Sequence, residues 1–425
     1  MGRRILVVGN GGREHALVWK LAQGMGTAGL WCAPGNPGTG LLAESLPVKA
    51  TDVAGIVSAA GRLAIDLVVI GPEAPLVAGL VDCLTEAGIP ACGPTAAAAR
   101  IEGSKAWAKE IMAEAGVPTA RSVVVTEIMA ALTALADFDL PVVIKADGLA
   151  AGKGVVLCAS RDDARAALTA FLEDEVLGAA GRTVVIEEFV AGEEVSVLAL
   201  TDGDQLAILP PARDYKRAFD RNRGPNTGGM GAFAPVDALD ATALAEVEHT
   251  VLRPTLRALA ERGAPFRGVL YAGLMLTESG PKVLEFNARF GDPEAQAVLP
   301  ILDGDLGDLL MGVAGGGDLA TAVKTSGMAV AVTIAAGGYP GPFERGLPIT
   351  GLERVPSDVL VFHGGTGRDG EGRLVTAGGR VLTVVGKGAS LAAARERAYA
   401  GVAAISFPGM RVRRDIAASE GIAKD

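Results

Sequence analysis

The chain is short of histidine, cysteine and aromatic residues, and each shortage narrows what it can be. Three histidines in 425 residues, His15, His249 and His363, argue against a histidine-based metal centre. Four cysteines, Cys32, Cys83, Cys92 and Cys158, form no C-x-x-C pair. They read as reduced, mostly buried thiols, and the expected compartment is the cytoplasm. Aromatics make up only 4% of the chain, so its cores must rest on Ala, Val, Leu and Ile. No apolar run approaches a membrane span, and the run at 5–8 is too short for a signal peptide. No block of Lys and Arg interrupts the net charge of −10, which argues against a nucleic-acid partner.

What is present is a globular mixture, 49% hydrophobic and 21% charged, with 58 glycines gathered in short clusters between apolar runs. A chain of 425 residues exceeds one ordinary core, so two to four domains are expected. Apolar runs at 4–8, 30–33, 67–70 and 89–93 each end in Gly/Pro loops and are separated by helical segments. Repeated strand–loop–helix units predict a parallel sheet with its loops at one edge, where a small ligand sits. The first loop, Gly9-Asn10-Gly11-Gly12-Arg13-Glu14, begins like a dinucleotide fingerprint but has an acid at the last position. A single phosphate held by the loop and Arg13 fits better, and a plain strand–helix turn with no ligand stays open.

The most informative stretch is 282–294. Leu284, Phe286, Ala288 and Phe290 alternate with Val283, Glu285, Asn287 and Arg289, the period of a strand. Its polar face carries a carboxylate, an amide and a guanidinium roughly 6–7 Å apart. Glu285 and Asn287 can offer oxygen to one hard cation, and Arg289 adds a planar fork for an anion. An edge strand with a solvated face reads equally well from pattern alone.

Between these regions lie other candidate groups. Lys145 stands inside an apolar strand, and a buried lysine needs a partner such as phosphate. The loop 147–154 that follows it is glycine-rich and suited to folding over a triphosphate, though not a Walker A loop. Residues 183–190 form a strand whose end can read an adenine edge, and Glu194 can bind ribose hydroxyls or simply be solvated. The segment 213–231 is the densest basic region and is rich in glycine. It can stabilise negative charge on a phosphoryl or acyl group. Residues 246–262 predict a helix kinked or broken at Pro254. From 328 onward the pattern becomes a separate α+β region, with turns at Asp369-Gly370 and Gly378-Gly379 and His363 structural.

In this order, Lys145, the loop at 148–154, the basic loop and the Glu285/Asn287/Arg289 strand resemble the ATP-grasp ligases. The motifs at 9–17, 71–76, 102–105, 145–154, 224–231 and 285–294 together resemble the phosphoribosylamine–glycine ligase family across nearly the whole chain. That resemblance implies an α/β and α+β multidomain fold: a Rossmann-like parallel-sheet domain at 1–103, an ATP-grasp domain at 104–325 with a mobile lid at about 121–190, and an α+β domain at 326–425. It implies ligation of glycine to 5-phosphoribosylamine through glycyl phosphate in purine biosynthesis, with ATP as co-substrate and Mg²⁺ or Mn²⁺ as cofactor. A monomer is expected, with a homodimer as the alternative. The implied catalytic residues are Arg289, Asp214, Lys216 and Gly229. ATP falls to Lys105, Lys145, Gly152, Lys153, Gly154, Glu187, Glu188, Phe189, Val190 and Glu194. The other substrates fall to Gly9, Asn10, Gly11, Gly12, Arg13, Asn36, Pro72, Glu73 and Asp292, and the metal to Glu285 and Asn287. Family members usually read Gln-Asp-His-Lys where this chain has Arg213-Asp214-Tyr215-Lys216, so a general base at Tyr215 is not expected. The rival readings are an ATP-grasp ligase with other substrates, a non-catalytic nucleotide-binding protein, and an oxidoreductase resting only on the partial fingerprint.

Overall fold

The computed structural model describes residues 2–150, 154–316, 318–319 and 323–418. The chain opens with a five-stranded, wholly parallel sheet, in spatial order Glu44–Ser45, Thr27–Pro34, Arg3–Gly9, Leu67–Ile70, Ala91–Cys92. Both faces are covered. In Arg3–Gly9, Leu6 and Val8 enter one core while Ile5 and Val7 enter another. That accounts for its unbroken apolar run. The strand order reverses beside Arg3–Gly9, which puts the loops after Gly9 and Ile70 together at a switch point.

Two four-stranded antiparallel sheets follow. One runs Ser122–Val125, Val184–Glu188, Val142–Ala146, Val155–Cys158. It packs under its own helices, Ile128–Leu135 and Arg161–Leu172, around a core that includes Phe138, Ile144, Leu168 and Ile186. The other runs Leu206–Ile208, Glu193–Thr201, Gly268–Thr277, Gly280–Asn287. The helix Lys105–Ala115 leads into them, capped by Ser104, whose Oγ accepts from Trp107 N at 3.1 Å.

The last large sheet crosses the chain. Its order is Arg213–Asp214, Gly231–Ala234, Met328–Ala335, Arg380–Gly388, Leu360–His363, with Arg411–Val412 also pairing Met328–Ala335. Strands from the basic, glycine-rich region therefore belong to the same hydrogen-bonded sheet as strands beyond 328.

Two local expectations are corrected and one is refined. The segment 246–262 is helical, and the irregularity expected at Pro254 is a wide π-helical turn, Glu248–Leu252, between Ala241–Val247 and Arg253–Glu261. Gly378-Gly379 is no hairpin turn. Leu374–Thr376 pairs back with Thr366–Arg368, and Gly378 lies against Gly365. In Gly280–Asn287 a bulge interrupts the alternation, because Gly273 pairs with Glu285 but Leu274 pairs with Val283. Val283 is consequently in the core, and Leu284 turns to the same cavity as Glu285.

Candidate functional site

A cavity of about 1010 Å³ lies among these sheets, walled by both four-stranded sheets, the loops of the parallel sheet, the basic loop and Arg380. Of the residues singled out from the sequence, it brings together Arg13, Pro72, Glu73, Lys105, Lys145, Gly154, Glu187, Glu188, Phe189, Val190, Glu194, Asp214, Lys216, Glu285, Asn287, Arg289 and Asp292. Gly9, Asn10, Gly11, Gly12, Asn36 and Gly229 are not among its lining residues. Gly152 and Lys153 lie outside the described residues.

One end is cationic. Val142–Ala146 and Val155–Cys158 pair as a hairpin, Lys145 opposite Val155, and of the loop between them Leu149, Ala150 and Gly154 line the cavity. Lys145 Nζ lies 2.9 Å from Glu187 Oε2 and donates to Leu284 O at 3.1 Å. Lys109 Nζ shares that carboxylate at 3.2 Å. Glu187, buried in the cavity wall, thus orients two ammoniums. Lys109 escaped the sequence reading, although it stands four residues after Lys105 and so shares its helix face. Burial lowers the Lys105 pKa, with Glu285 pulling it back up. A buried, partly unmatched ammonium of this kind favours an anion beside it.

The middle of the cavity is acidic around one lysine. Lys216 Nζ bonds Glu194 Oε1 and lies 3.3 Å from Glu285 Oε1. The Lys216 ammonium, assisted by Lys145 and Lys105 against burial, pulls Glu285 down to about 2. Burial raises Asp214 well above the usual carboxylate range; Lys216 opposes that shift, while Glu294, Glu194 and Glu285 add to it. Asp214 Oδ1 is buried without a hydrogen-bond partner. Glu294, missed in the sequence reading, accepts from Tyr271 OH at 2.9 Å and Ser196 Oγ at 3.2 Å. Among the described residues no three His, Cys, Asp or Glu side chains converge as a metal cage. The donors at hand are hard oxygens, Glu285 and Asn287, in surroundings with more carboxylates than ammoniums. That set fits Mg²⁺ or Mn²⁺, for which one or two protein oxygens are completed by substrate phosphates and water.

The third region joins the parallel sheet to the rest. Arg289 Nη2 lies 2.7 Å from Glu102 Oε1, and its Nε lies 3.4 Å from Glu73 Oε2. Glu102 Oε2 also accepts from Ala288 N at 2.8 Å, fixing the chain just past the strand. Burial raises Glu102, with Arg289 opposing; burial likewise works against ionised Glu73, but Arg289 and Arg13 outweigh it. Asp292 Oδ2 pairs with Arg380 Nη2 at 3.0 Å, and Oδ1 accepts from Gln296 Nε2 at 2.7 Å. Arg380 comes from the strand Arg380–Gly388, beyond any motif the sequence reading used.

At the first loop, two of the substrate-binding candidates have partners within the protein. Glu14 Oε2 accepts from Gly11 N at 2.5 Å, and Glu14 Oε1 holds Arg13 Nε at 2.6 Å. The acid that broke the fingerprint fills the anion position at this helix start with its own carboxylate. Asn36 is fully engaged as a staple. Its amide nitrogen donates to Asn10 O and His363 O at 2.9 and 2.8 Å, and its oxygen accepts from Gly38 N and Thr39 N at 2.8 and 3.0 Å. Gly229 has φ +110, and a Cβ there would meet Pro293 Cδ at 2.3 Å, so the position serves close packing of the loop.

The comparisons agree along the chain. Family models for phosphoribosylglycinamide synthetase match in order: the N domain over 3–102, the ATP-grasp (A) domain over 103–295 and the C domain over 329–419. A phosphoribosylamine–glycine ligase of Streptomyces coelicolor is 49% identical over 98% of this chain and 99% of its own length. The ligase of Nostoc sp. is 46% identical over 97% and 98%. The crystal structure of phosphoribosylamine–glycine ligase from Thermotoga maritima matches with a TM-score of 0.84 at 35% identity, covering 97% of this chain and 100% of that one.

Proposed function

This chain belongs to the phosphoribosylamine–glycine ligase family, ATP-grasp enzymes that join glycine to 5-phosphoribosylamine in purine biosynthesis through a glycyl phosphate, and on that footing we propose how its residues divide the reaction. Lys105 and Lys145 bind oxygens of the ATP phosphates, and Glu187 and Lys109 keep Lys145 in place. The backbone at 188–190 reads the adenine edge. Glu194 keeps one oxygen on Lys216 and offers the other to the ribose. Leu149, Ala150 and Gly154 flank the nucleotide and help exclude water, which would destroy the acyl phosphate.

Glu285 and Asn287 would hold Mg²⁺ or Mn²⁺; bound there, the cation neutralises the phosphate tail so that an anionic carboxylate can approach it. Lys216 and Arg289 supply the remaining positive charge along the path of phosphoryl transfer. Glycine's carboxylate oxygen bonds the γ-phosphorus as the bond to ADP breaks. The neutral amine of phosphoribosylamine then attacks the acyl carbon and phosphate leaves. The basic loop with Asp214 lies where these charges develop. Asp292 and Arg13, beside Arg289 and Arg380, form the wall nearest the parallel sheet, and the ribosyl phosphate is assigned there. The loop at 9–12 and Asn36 support that wall from behind.

The observation that carries this assignment is the meeting of Glu285 and Asn287 with Lys105, Lys145 and Lys216 in one cavity. Four free thiols support a cytoplasmic location. The test is ADP release from purified protein with glycine and phosphoribosylamine, each omitted in turn. Dependence on both is expected; release with a different carboxylate or amine pair, and none with this one, would overturn the substrate assignment.

A further inference from the structure

The basic loop and the C-terminal segment meet at Tyr215. Backbone pairing continues past Asp214: Tyr215 N donates to Gly231 O at 2.9 Å, and Met230 N donates to Tyr215 O at 2.8 Å. Residues 214, 215 and 216 therefore alternate, and Tyr215 points away from the face that carries Asp214 and Lys216. Its ring packs on Phe233 and beneath the Arg413 guanidinium, 4.9 Å from the ring centroid. Its hydroxyl accepts from Ala417 N at 2.9 Å. Ala417 holds φ +56, a left-handed conformation that alanine seldom adopts without an external tie.

Arg413 is 1% exposed and fully committed. Its Nη1 donates to Arg217 O at 3.0 Å, its Nη2 to Asn222 Oδ1 at 3.0 Å, and Nε and Nη2 donate to Asp415 at 2.8 and 2.7 Å. Asp415 also accepts from Arg221 N at 2.8 Å, and Asp220 accepts from Arg414 N at 2.8 Å. The hairpin Arg217–Phe219 and Arg223–Asn226 is thus pinned from outside by the C-terminal segment 413–417.

We infer that Arg413 and Tyr215 are positioning residues, which brace the backbone at 214–216 and thereby set where Lys216 stands between Glu194 and Glu285. A planar fork suits this position because it holds a carbonyl, an amide oxygen and a carboxylate while stacking on a ring, as an ammonium could not. In this chain Tyr215, where the family usually has histidine, provides both the ring and the tie to Ala417. Both side chains border the cavity, but their polar atoms are taken up by protein partners. Their effect passes through the Lys216 ammonium, whose displacement by about 1 Å can lower turnover by up to roughly 100-fold.

The inference rests on the assignment of Lys216 above, and the test separates the two. Turnover and KM for each substrate are measured for Arg413→Ala, Arg413→Lys, Tyr215→Phe and Lys216→Ala in the full chain, below the melting point of each variant. Arg413→Ala is expected to lower kcat about 10- to 100-fold, with KM for ATP changed less than about threefold. Tyr215→Phe, which removes only the hydroxyl, is expected to lower kcat about threefold or more, and Arg413→Lys to recover part of the Arg413→Ala loss. Wild-type kcat in Tyr215→Phe and in folded Arg413→Ala, with Lys216→Ala inactive, would overturn the brace and leave the site standing. Wild-type turnover in Lys216→Ala would remove the site assignment itself. Should Arg413→Ala fail to fold, Tyr215→Phe decides.

Discussion

Lys216 Nζ lies 3.3 Å from Glu285 Oε1 while it also bonds Glu194, so the carboxylate assigned to the cation already has a positive neighbour. The protein's own ammonium keeps Glu285 ionised, and a divalent ion arriving there meets an anion ready to bind it.

Glu285→Ala should therefore reduce kcat by at least about 100-fold. The pair is partly exposed, so folding stability should change by no more than about 1 kcal/mol. ADP-release kinetics across an Mg²⁺ titration, together with urea unfolding, check this. Wild-type turnover would remove Glu285 from the cation site.

Lys145 and Lys109 share Glu187 but should fail differently. Lys145→Met should weaken ATP binding more than about tenfold, because it removes a phosphate contact. Lys109→Met should affect ATP less and stability more, by about 2 kcal/mol, since Lys109 Nζ also donates to Thr119 Oγ1 at 2.8 Å and Ala120 O at 3.2 Å. Calorimetric ATP titration and urea unfolding of both variants separate the roles.

Asn36→Ala should destabilise the protein by about 2–3 kcal/mol, because its side-chain hydrogen bonds to three chain segments are lost. Its residual kinetics below the unfolding transition should show KM for phosphoribosylamine within about twofold of wild type. A selective rise in that KM would return Asn36 to the substrate.

His15 and His363 are buried and packed together, ring centroids 5.5 Å apart. His15 Nδ1 accepts from His363 N at 2.8 Å, which requires that nitrogen to be unprotonated. Burial pulls His15 down from 6.5 to about 3, and His363 down to about 4. The unfolded chain binds protons that the folded one refuses, so their contribution is complete above pH 6.5 and is lost as pH falls toward 3–4. Denaturant midpoints should decline through that window, and His15→Gln should flatten the decline.

The parallel sheet was legible because buried strands announce themselves as apolar runs ending in Gly/Pro loops, as in 5–8 and 67–70. The stretch at 282–294 announced its polar face by alternation. The bulge at Val283–Leu284 could not be seen there, because it is defined by pairing with Gly273 and Leu274 on another strand. Asn36 looked available because a loop asparagine beside glycines suits a ligand as well as a staple; only the folded chain brings His363 O to it. Arg380 and Arg413 stayed hidden for a related reason. Each acts on a partner far away in sequence, and a single chain carries no local signal of such a pairing.

The strand Met328–Ala335 pairs with Gly231–Ala234 on one edge and Arg380–Gly388 on the other. The last quarter of the chain is thus hydrogen-bonded into the same sheet as strands from its middle. A chimera that swaps it for a relative's would have to preserve the register from Gly231 opposite Val332 to Ala234 opposite Ala329. Otherwise the graft would unravel the strand that closes the basic loop, and inherited differences in this last quarter should travel together with those at 213–234.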